Sequence, residues 1–110
     1  MVRGRPEAIF QGQVIALAKR YGWAVYHPPA NLPFEDKNRR RVAKQTIGAG
    51  WPDLSFARTP EFFLAELKAE KGRLSPAQDG WIELLRSCEI EVHVWRPSDF
   101  EVIHERLRRR

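Results

Sequence analysis

Residues 50–68, GWPDLSFARTPEFFLAELK, contain the clearest strand pattern in the chain. Segments 53–57 and 61–68 are rich in aliphatic and aromatic residues, and a Thr-Pro pair between them marks a turn. We therefore expect two short strands that form a hairpin. In such a hairpin, Asp53 at the start of the first strand and Glu66 near the end of the second lie at the same end. The pattern thus predicts that two carboxylates converge.

Helices and further strands are predicted on both sides of this hairpin. Residues 6–21 predict a helix, because apolar residues recur at helical spacing after a proline, and residues 23–27 predict a short strand. A Ser-Pro-x-Gln capping box at 75–78 begins a second helix. Residues 90–95 alternate like a half-buried strand, and a second capping box at 97–101 is expected to begin the last helix.

The resulting order, α-β-β-β-α-β-α, predicts one α/β domain over residues 1–110 with a small mixed sheet flanked by helices. One cysteine excludes a disulfide framework within the chain. No apolar run approaches the roughly 18 residues of a membrane span and no signal peptide is expected, so we expect a cytoplasmic protein without a membrane partner. A net charge of +5 favours a polyanionic partner such as nucleic acid.

The helical spacing also predicts which side chains are buried. The second helix is expected to bury Trp81, Leu84, Leu85 and Cys88, and the last helix Phe100, Ile103 and Leu107.

Two charged residues occupy a strand face that is expected to be buried. Glu66 and Lys68 alternate in phase with Phe62 and Leu64, and an unpaired buried charge is costly. The carboxylate and the ammonium therefore need each other or a metal ion. The alternative is an exposed face on which the two charges form an ion pair.

Hard oxygen donors at one end of the hairpin suit Mg²⁺ or Mn²⁺. Asp53, Glu66 and the Leu67 carbonyl supply them, and Glu7 lies on the apolar stripe of the first helix, pointing inward at its N-terminal end. Each acid also has a simpler explanation. Asp53 could serve a Pro-Asp turn, and Glu7 could complement the helix dipole.

Taken in order, these residues resemble a nuclease family. Glu7 on an opening helix, Gly50-Trp51-Pro52-Asp53-Leu54 and Glu66-Leu67-Lys68 are similar to the PD-(D/E)xK nuclease pattern. More narrowly, the GxPDL segment followed by ELKAEKGRLSPxQ at residues 66–78 resembles the VRR-Nuc domain, which includes stand-alone phage and bacterial proteins. The resemblance covers nearly the whole chain and implies a restriction-endonuclease-like core.

The resemblance implies a role for each matching residue. Asp53, Glu66 and the Leu67 carbonyl would hold Mg²⁺, for which Mn²⁺ would substitute, and Glu7 would complete the site directly or through water. Lys68 would position the attacking water and neutralise charge on the phosphate. Gln78 would hold a water or the substrate phosphate, although the capping box alone also explains this residue.

Beside a nuclease site, basic residues are expected to bind phosphate, although such a run is often only a solvated face. Residues 28–50 lack periodicity and are rich in proline and glycine, which predicts a long basic loop. The expected DNA-binding residues are Lys37, Arg39, Arg40, Arg41 and Lys44 in this loop, with Lys71 and Arg73 after the second hairpin strand.

The implied function is a metal-dependent DNA endonuclease. A domain of this size has room for one site, so paired cuts in a four-way (Holliday) junction would require a homodimer. The resemblance to stand-alone members favours such a junction resolvase, in the cytoplasm of a bacterial or phage-infected cell. The alternatives are a monomeric nuclease acting on flaps or free ends, and a non-catalytic nucleic-acid-binding module of the same fold.

Overall fold

The computed structural model describes residues 6–29, 34–35, 41–42 and 48–109. Its helices are α1 (Pro6–Arg20), α2 (Pro76–Ser87) and α3 (Phe100–Arg108), with a 3-10 turn (Pro97–Asp99) before α3. Its strands are β1 (Ala24–Tyr26), β2 (Phe34–Glu35), β3 (Arg41–Val42), β4 (Leu54–Arg58), β5 (Glu61–Leu67) and β6 (Val92–Trp95).

The main sheet has the strand order β1-β4-β5-β6. β1, β4 and β5 are antiparallel neighbours, whereas β6 runs parallel to β5 after the α2 crossover. This confirms the predicted α/β fold with a small mixed sheet. β2 and β3 form a separate antiparallel pair inside the stretch predicted as a basic loop, and two residues per strand are too few to produce a periodic signal.

Helices cover both faces of the sheet. On one face, Phe63 of β5 belongs to a core that includes Val14 of α1 and Ile103 of α3. On the other face, Leu64 packs with Ile82 of α2 and Val92 of β6. Burial on both sides explains why Phe63, Leu64, Ala65, Glu66 and Leu67 are all buried in succession.

The predicted burial of Phe62 on β5 was wrong. It was expected to be buried with Leu64 and Glu66, but 52% of its surface is exposed. The α2 core reaches Leu64 and does not include Phe62, so only the later half of this strand face is covered.

The predicted buried face of α2 was largely wrong. Ile82 is its one fully buried side chain, whereas Leu84 is 54% exposed and Cys88 is exposed. Trp81 and Leu85 are half-buried. The helix carries two adjoining apolar stripes, and its packing on β5 and β6 selects the one that contains Ile82.

The start of α3 also differs from the prediction. A 3-10 turn precedes the helix, and no side-chain hydrogen bond caps α3 itself. The Asp99 carboxylate accepts a hydrogen bond from the Arg96 backbone N–H at 2.9 Å, so this half of a capping box lies at 96–99, before the 3-10 turn, and not at 97–101 as predicted. Ile103 and Leu107 are buried as predicted, but Phe100 is 37% exposed.

None of the helices that the structure describes is both long enough and apolar enough to cross a bilayer.

The segment that precedes β4 lies in close backbone contact with α2. Gly50 has φ +89°, and a Cβ atom built on it would lie 2.6 Å from the Ala77 backbone carbon. Both the positive φ and this contact require glycine. The contact fixes the chain just before Asp53 against the first turn of α2.

Replacing Gly50 by alanine tests this contact, and Gly48→Ala is its matched control. Gly48 has φ +90° but nothing within 4 Å of a Cβ atom. We expect Gly48→Ala to lower the free energy of unfolding by about 1 kcal/mol through backbone strain, and Gly50→Ala by about 2–4 kcal/mol because it also clashes. Urea unfolding measures both, and equal losses would contradict the contact.

Candidate active site

The two hairpin carboxylates lie at the same end of the sheet, as predicted. Leu54 pairs with Ala65, which places Asp53 beside Glu66 at the end of β5. The Asp53 carboxylate accepts a hydrogen bond from the Leu67 backbone N–H at 2.8 Å. Asp53 therefore holds the end of β5 as well as facing the second carboxylate.

Glu66 is the central residue of this cluster. Its side chain is 2% exposed, on the sheet face covered by α2. Oε2 accepts a hydrogen bond from Gln78 Nε2 at 2.9 Å and lies 3.8 Å from Lys68 Nζ. Oε1 is buried and has no hydrogen-bond partner among the residues that the structure describes. A buried carboxylate oxygen without a partner is costly, so the fold leaves one strong acceptor unsatisfied at this point.

The environment of Glu66 opposes its ionisation. Burial is the largest cause, the neighbouring Asp53 charge adds to it, and Lys68 offsets part of it, so that the pKa of Glu66 rises from 4.5 to about 8. Without a further cation, two negative charges are disfavoured here. An additional positive charge would stabilise the ionised pair.

Arg106, the other buried charged residue in the described ranges, also has one buried polar atom, Nη1, without a partner among the described residues, but it differs from Glu66 in the charges around it. It forms salt bridges with Glu61 at 2.8 Å and Glu91 at 2.7 Å, and its guanidinium lies 4.4 Å from the Phe63 ring centroid. The fold thus supplies two opposite charges for one buried charge at Arg106. At Glu66 it places a second carboxylate nearby and only one ammonium.

Gln78 links the helix cap to this cluster. Its Oε1 accepts a hydrogen bond from the Ser75 N–H at 2.8 Å, and its own N–H donates to Ser75 Oγ at 3.1 Å. This is the capping box that the sequence predicted. Because Oε1 is occupied by the cap, Nε2 is directed to Glu66, and one side chain both begins α2 and contacts the carboxylate.

Glu7 lies at the edge of the cluster. It is exposed, whereas the sequence predicted that it points inward. Its Oε2 accepts a long hydrogen bond of 3.4 Å from the Ala69 N–H, just beyond β5. The first turn of α1 therefore reaches the strand end that carries Glu66 and Lys68, but from the solvent side.

The donor set fits a hard divalent cation. Within residues 6–29, 34–35, 41–42 and 48–109, no three His, Cys, Asp or Glu side chains gather closely enough to hold a metal ion by themselves. Asp53 and the free Glu66 Oε1 are two carboxylate donors, to which the Leu67 carbonyl and water can add. Mg²⁺ is usually bound in this way, through one or two carboxylates and several waters.

The segment after β5 is fastened by a residue that the sequence analysis missed. Arg96 Nη1 donates hydrogen bonds to the Ala69 carbonyl at 2.8 Å and to the Gly72 carbonyl at 2.7 Å. These contacts position the chain that follows Lys68 and carries the exposed Lys71 and Arg73. Arg96 follows Lys68 by 28 residues, and nothing local to either one predicts the contact.

His27 is a second residue whose position was not predicted. Its Nδ1 lies 3.1 Å from the Asp53 carbonyl oxygen, and since a carbonyl only accepts, Nδ1 is the donor. The ring therefore stands beside Asp53 at the end of β1.

Four of the five loop residues predicted to bind DNA lie outside the described residues: Lys37, Arg39, Arg40 and Lys44. Arg41 belongs to β3, of which the structure describes the backbone.

The fold thus brings together Asp53 before one strand, Glu66 and Lys68 on the next and Gln78 at the following helix. The VRR-NUC domain matches residues 30–99, a range that includes all four of these residues. The chain belongs to the VRR-NUC family. This is a nuclease domain family of the restriction-endonuclease-like superfamily. Comparisons with curated proteins and with solved structures gave no match.

Family membership establishes the general activity. The chain is a nuclease, and therefore a hydrolase, with DNA as its substrate.

Replacing Glu66 by glutamine tests the electrostatics without a cleavage assay. Because the pKa of Glu66 rises from 4.5 to about 8 on folding, its favourable contribution is complete below about pH 4.5 and is lost as the pH rises toward 8. In EDTA we expect the wild-type free energy of unfolding to fall between pH 5 and pH 8. Glu66→Gln should remove roughly 1–3 kcal/mol of that fall.

Chemical denaturation at several pH values measures this difference. Glu83→Gln is the control, because it removes an exposed carboxyl from α2. Parallel pH profiles for the wild type and Glu66→Gln would contradict the raised pKa.

Proposed function

We propose that the chain is a Mg²⁺-dependent endonuclease that acts on branched DNA as a homodimer and resolves four-way junctions. The observation that carries the metal requirement is Glu66 Oε1, a buried carboxylate oxygen without a partner beside Asp53. Asp53, Glu66 and the Leu67 carbonyl would hold the ion. Glu7 would contribute from the solvent side, directly or through water.

A divalent ion bound here would lower the pKa of a water molecule and reduce the charge repulsion between that water and the phosphate. Lys68 extends from the same strand face as Glu66, and its ammonium lies 3.8 Å from Glu66 Oε2. From there it can orient the attacking water and neutralise charge that develops on the phosphate. Asp53 stays fixed for this role because the Leu67 N–H holds one of its oxygens.

Gln78 has two tasks in this proposal. One N–H of its amide holds Glu66 Oε2, which keeps the carboxylate orientation constant. The second N–H of the same amide nitrogen is available to a water molecule or a phosphate oxygen. The capping hydrogen bond at Oε1 prevents the amide from flipping, so that the donors remain on the side of the site.

The proposed dimer follows from the number of sites. The described residues form one cluster of this kind, and one cluster cuts one strand at a time. Symmetric cuts in a four-way junction would then need two copies related by a two-fold axis. Lys71 and Arg73, held near the site by the Arg96 contacts, would bind phosphates on either side of the cut.

A substrate panel with Asp53→Asn tests this proposal. We expect the wild type to introduce paired nicks in a labelled four-way junction with Mg²⁺ or Mn²⁺ and none in EDTA. Asp53→Asn removes a charge that the ion requires, so cleavage should fall at least about a hundredfold while junction binding persists. Asp79→Asn, an exposed substitution on α2, is the control.

Two results would favour the other functions. Cleavage of flaps or ends by a protein that sediments as a monomer would replace the resolvase by a monomeric nuclease. DNA binding that EDTA does not change, with no cleavage of junction, flap, duplex or single strand, would indicate a non-catalytic module.

A further inference from the structure

Gly80 lies inside α2 without a packing reason. A glycine within a helix destabilises it relative to alanine, because it loses more conformational freedom on folding. A Cβ atom built on Gly80 meets nothing within 4 Å, and the residue is exposed. The fold thus tolerates a side chain here, yet the sequence omits one. Gly80 therefore leaves the helix backbone open at this point, where a ligand can approach it closely.

Gly80 forms part of a shallow apolar hollow on the surface. The hollow has a volume of about 260 Å³ and is lined by Ala49, Ala77, Gly80, Trp81 and Leu84. None of these side chains is charged. Trp81 of this lining packs edge-on against the Trp51 ring, with ring centroids 5.0 Å apart and the planes at 74°. Trp51 remains 38% exposed.

Residues at the hollow are chain neighbours of residues in the proposed catalytic cluster. Ala77 directly precedes Gln78, whose amide contacts Glu66 at 2.9 Å. On the other side, Trp51 stands two residues before Asp53, on the segment that Gly50 presses against Ala77. A DNA strand held at the carboxylates would therefore lie near the segment that carries Trp51.

We propose that this hollow binds one unpaired nucleobase of the DNA substrate, next to the phosphate that is cut. A base is flat and apolar on its faces, and it stacks on indole with little dependence on sequence. Among the described residues, the side chains that line the hollow are uncharged and offer the phosphate backbone no ion pair. A paired base is enclosed in its duplex, so the site would favour branched or bulged DNA. This inference rests on the proposed function for the position of the DNA.

The test compares Gly80→Gln with Gly12→Gln. Gly12 is also an exposed helix glycine, in α1, with nothing within 4 Å of a Cβ atom. Glutamine favours helices, so both variants should keep or raise Tm, by about 3–6 °C. Only Gly80→Gln places a side chain over the hollow. A merely structural role for Gly80 therefore predicts no difference between the two variants.

The measurement uses duplex DNA with or without a single unpaired 2-aminopurine, in EDTA so that nothing is cut. We expect the wild type and Gly12→Gln to bind the bulged duplex about 5- to 100-fold more tightly than the paired duplex and to quench the 2-aminopurine by stacking. Gly80→Gln should lose both the preference and the quenching. Trp51→Ser should weaken the quenching, and Trp51→Phe should restore most of it.

Three outcomes would overturn the inference. The wild type could bind both duplexes equally, or Gly80→Gln could keep the preference. Gly80→Gln could also turn a dimer into a monomer in sedimentation with the preference unchanged, which would assign the hollow to a second copy of the chain. Because binding is measured without a metal, a loss of base preference is distinguishable from a failure of metal-dependent cleavage.

Discussion

The site depends on one constraint, the burial of the Glu66 carboxylate beside Asp53. Burial and the second negative charge raise the pKa of Glu66 to about 8, and within the described part of the chain no donor reaches its Oε1. A protein selected for stability alone would place an apolar residue here, because α2 already packs through Leu64 and Ile82. The carboxylate is instead kept, at a cost, where a cation can bind it. A strongly shifted pKa of a buried carboxylate is typical of functional sites.

Several contacts of the fold converge on that carboxylate. The capping box of α2 directs the Gln78 amide to it, and Gly50 lets the entry of β4 lie against the same helix turn. Arg96, the residue directly after β6, holds the segment after Lys68 through two hydrogen bonds. Two of these contacts join distant parts of the chain to the end of β5, and the Gly50 contact joins the entry of β4 to α2. The site is therefore a property of the assembled sheet and helices, and no single segment contains it.

The sequence predicted the parts of this arrangement that are encoded locally. Hydrophobic alternation and a turn placed Asp53 and Glu66 together, and the Ser-Pro-x-Gln pattern located the start of α2. Packing choices between equivalent faces were not predictable in the same way. α2 has two apolar stripes, and only its docking on β5 and β6 decides that Ile82 is buried and Leu84 exposed. The Arg96 contacts and the unpartnered Oε1 depend on residues far apart in sequence, for which no local pattern exists.

The central claim is that the buried Glu66 carboxylate is a ligand to a divalent cation. Anomalous diffraction from crystals grown with Mn²⁺ measures this directly, because the scattering identifies the ion and its position together. We expect one anomalous peak in coordination contact with Glu66 Oε1 and the Asp53 carboxylate. If this position is empty in crystals saturated with Mn²⁺, and Glu66 Oε1 instead accepts a hydrogen bond from a protein donor, Glu66 is not a metal ligand.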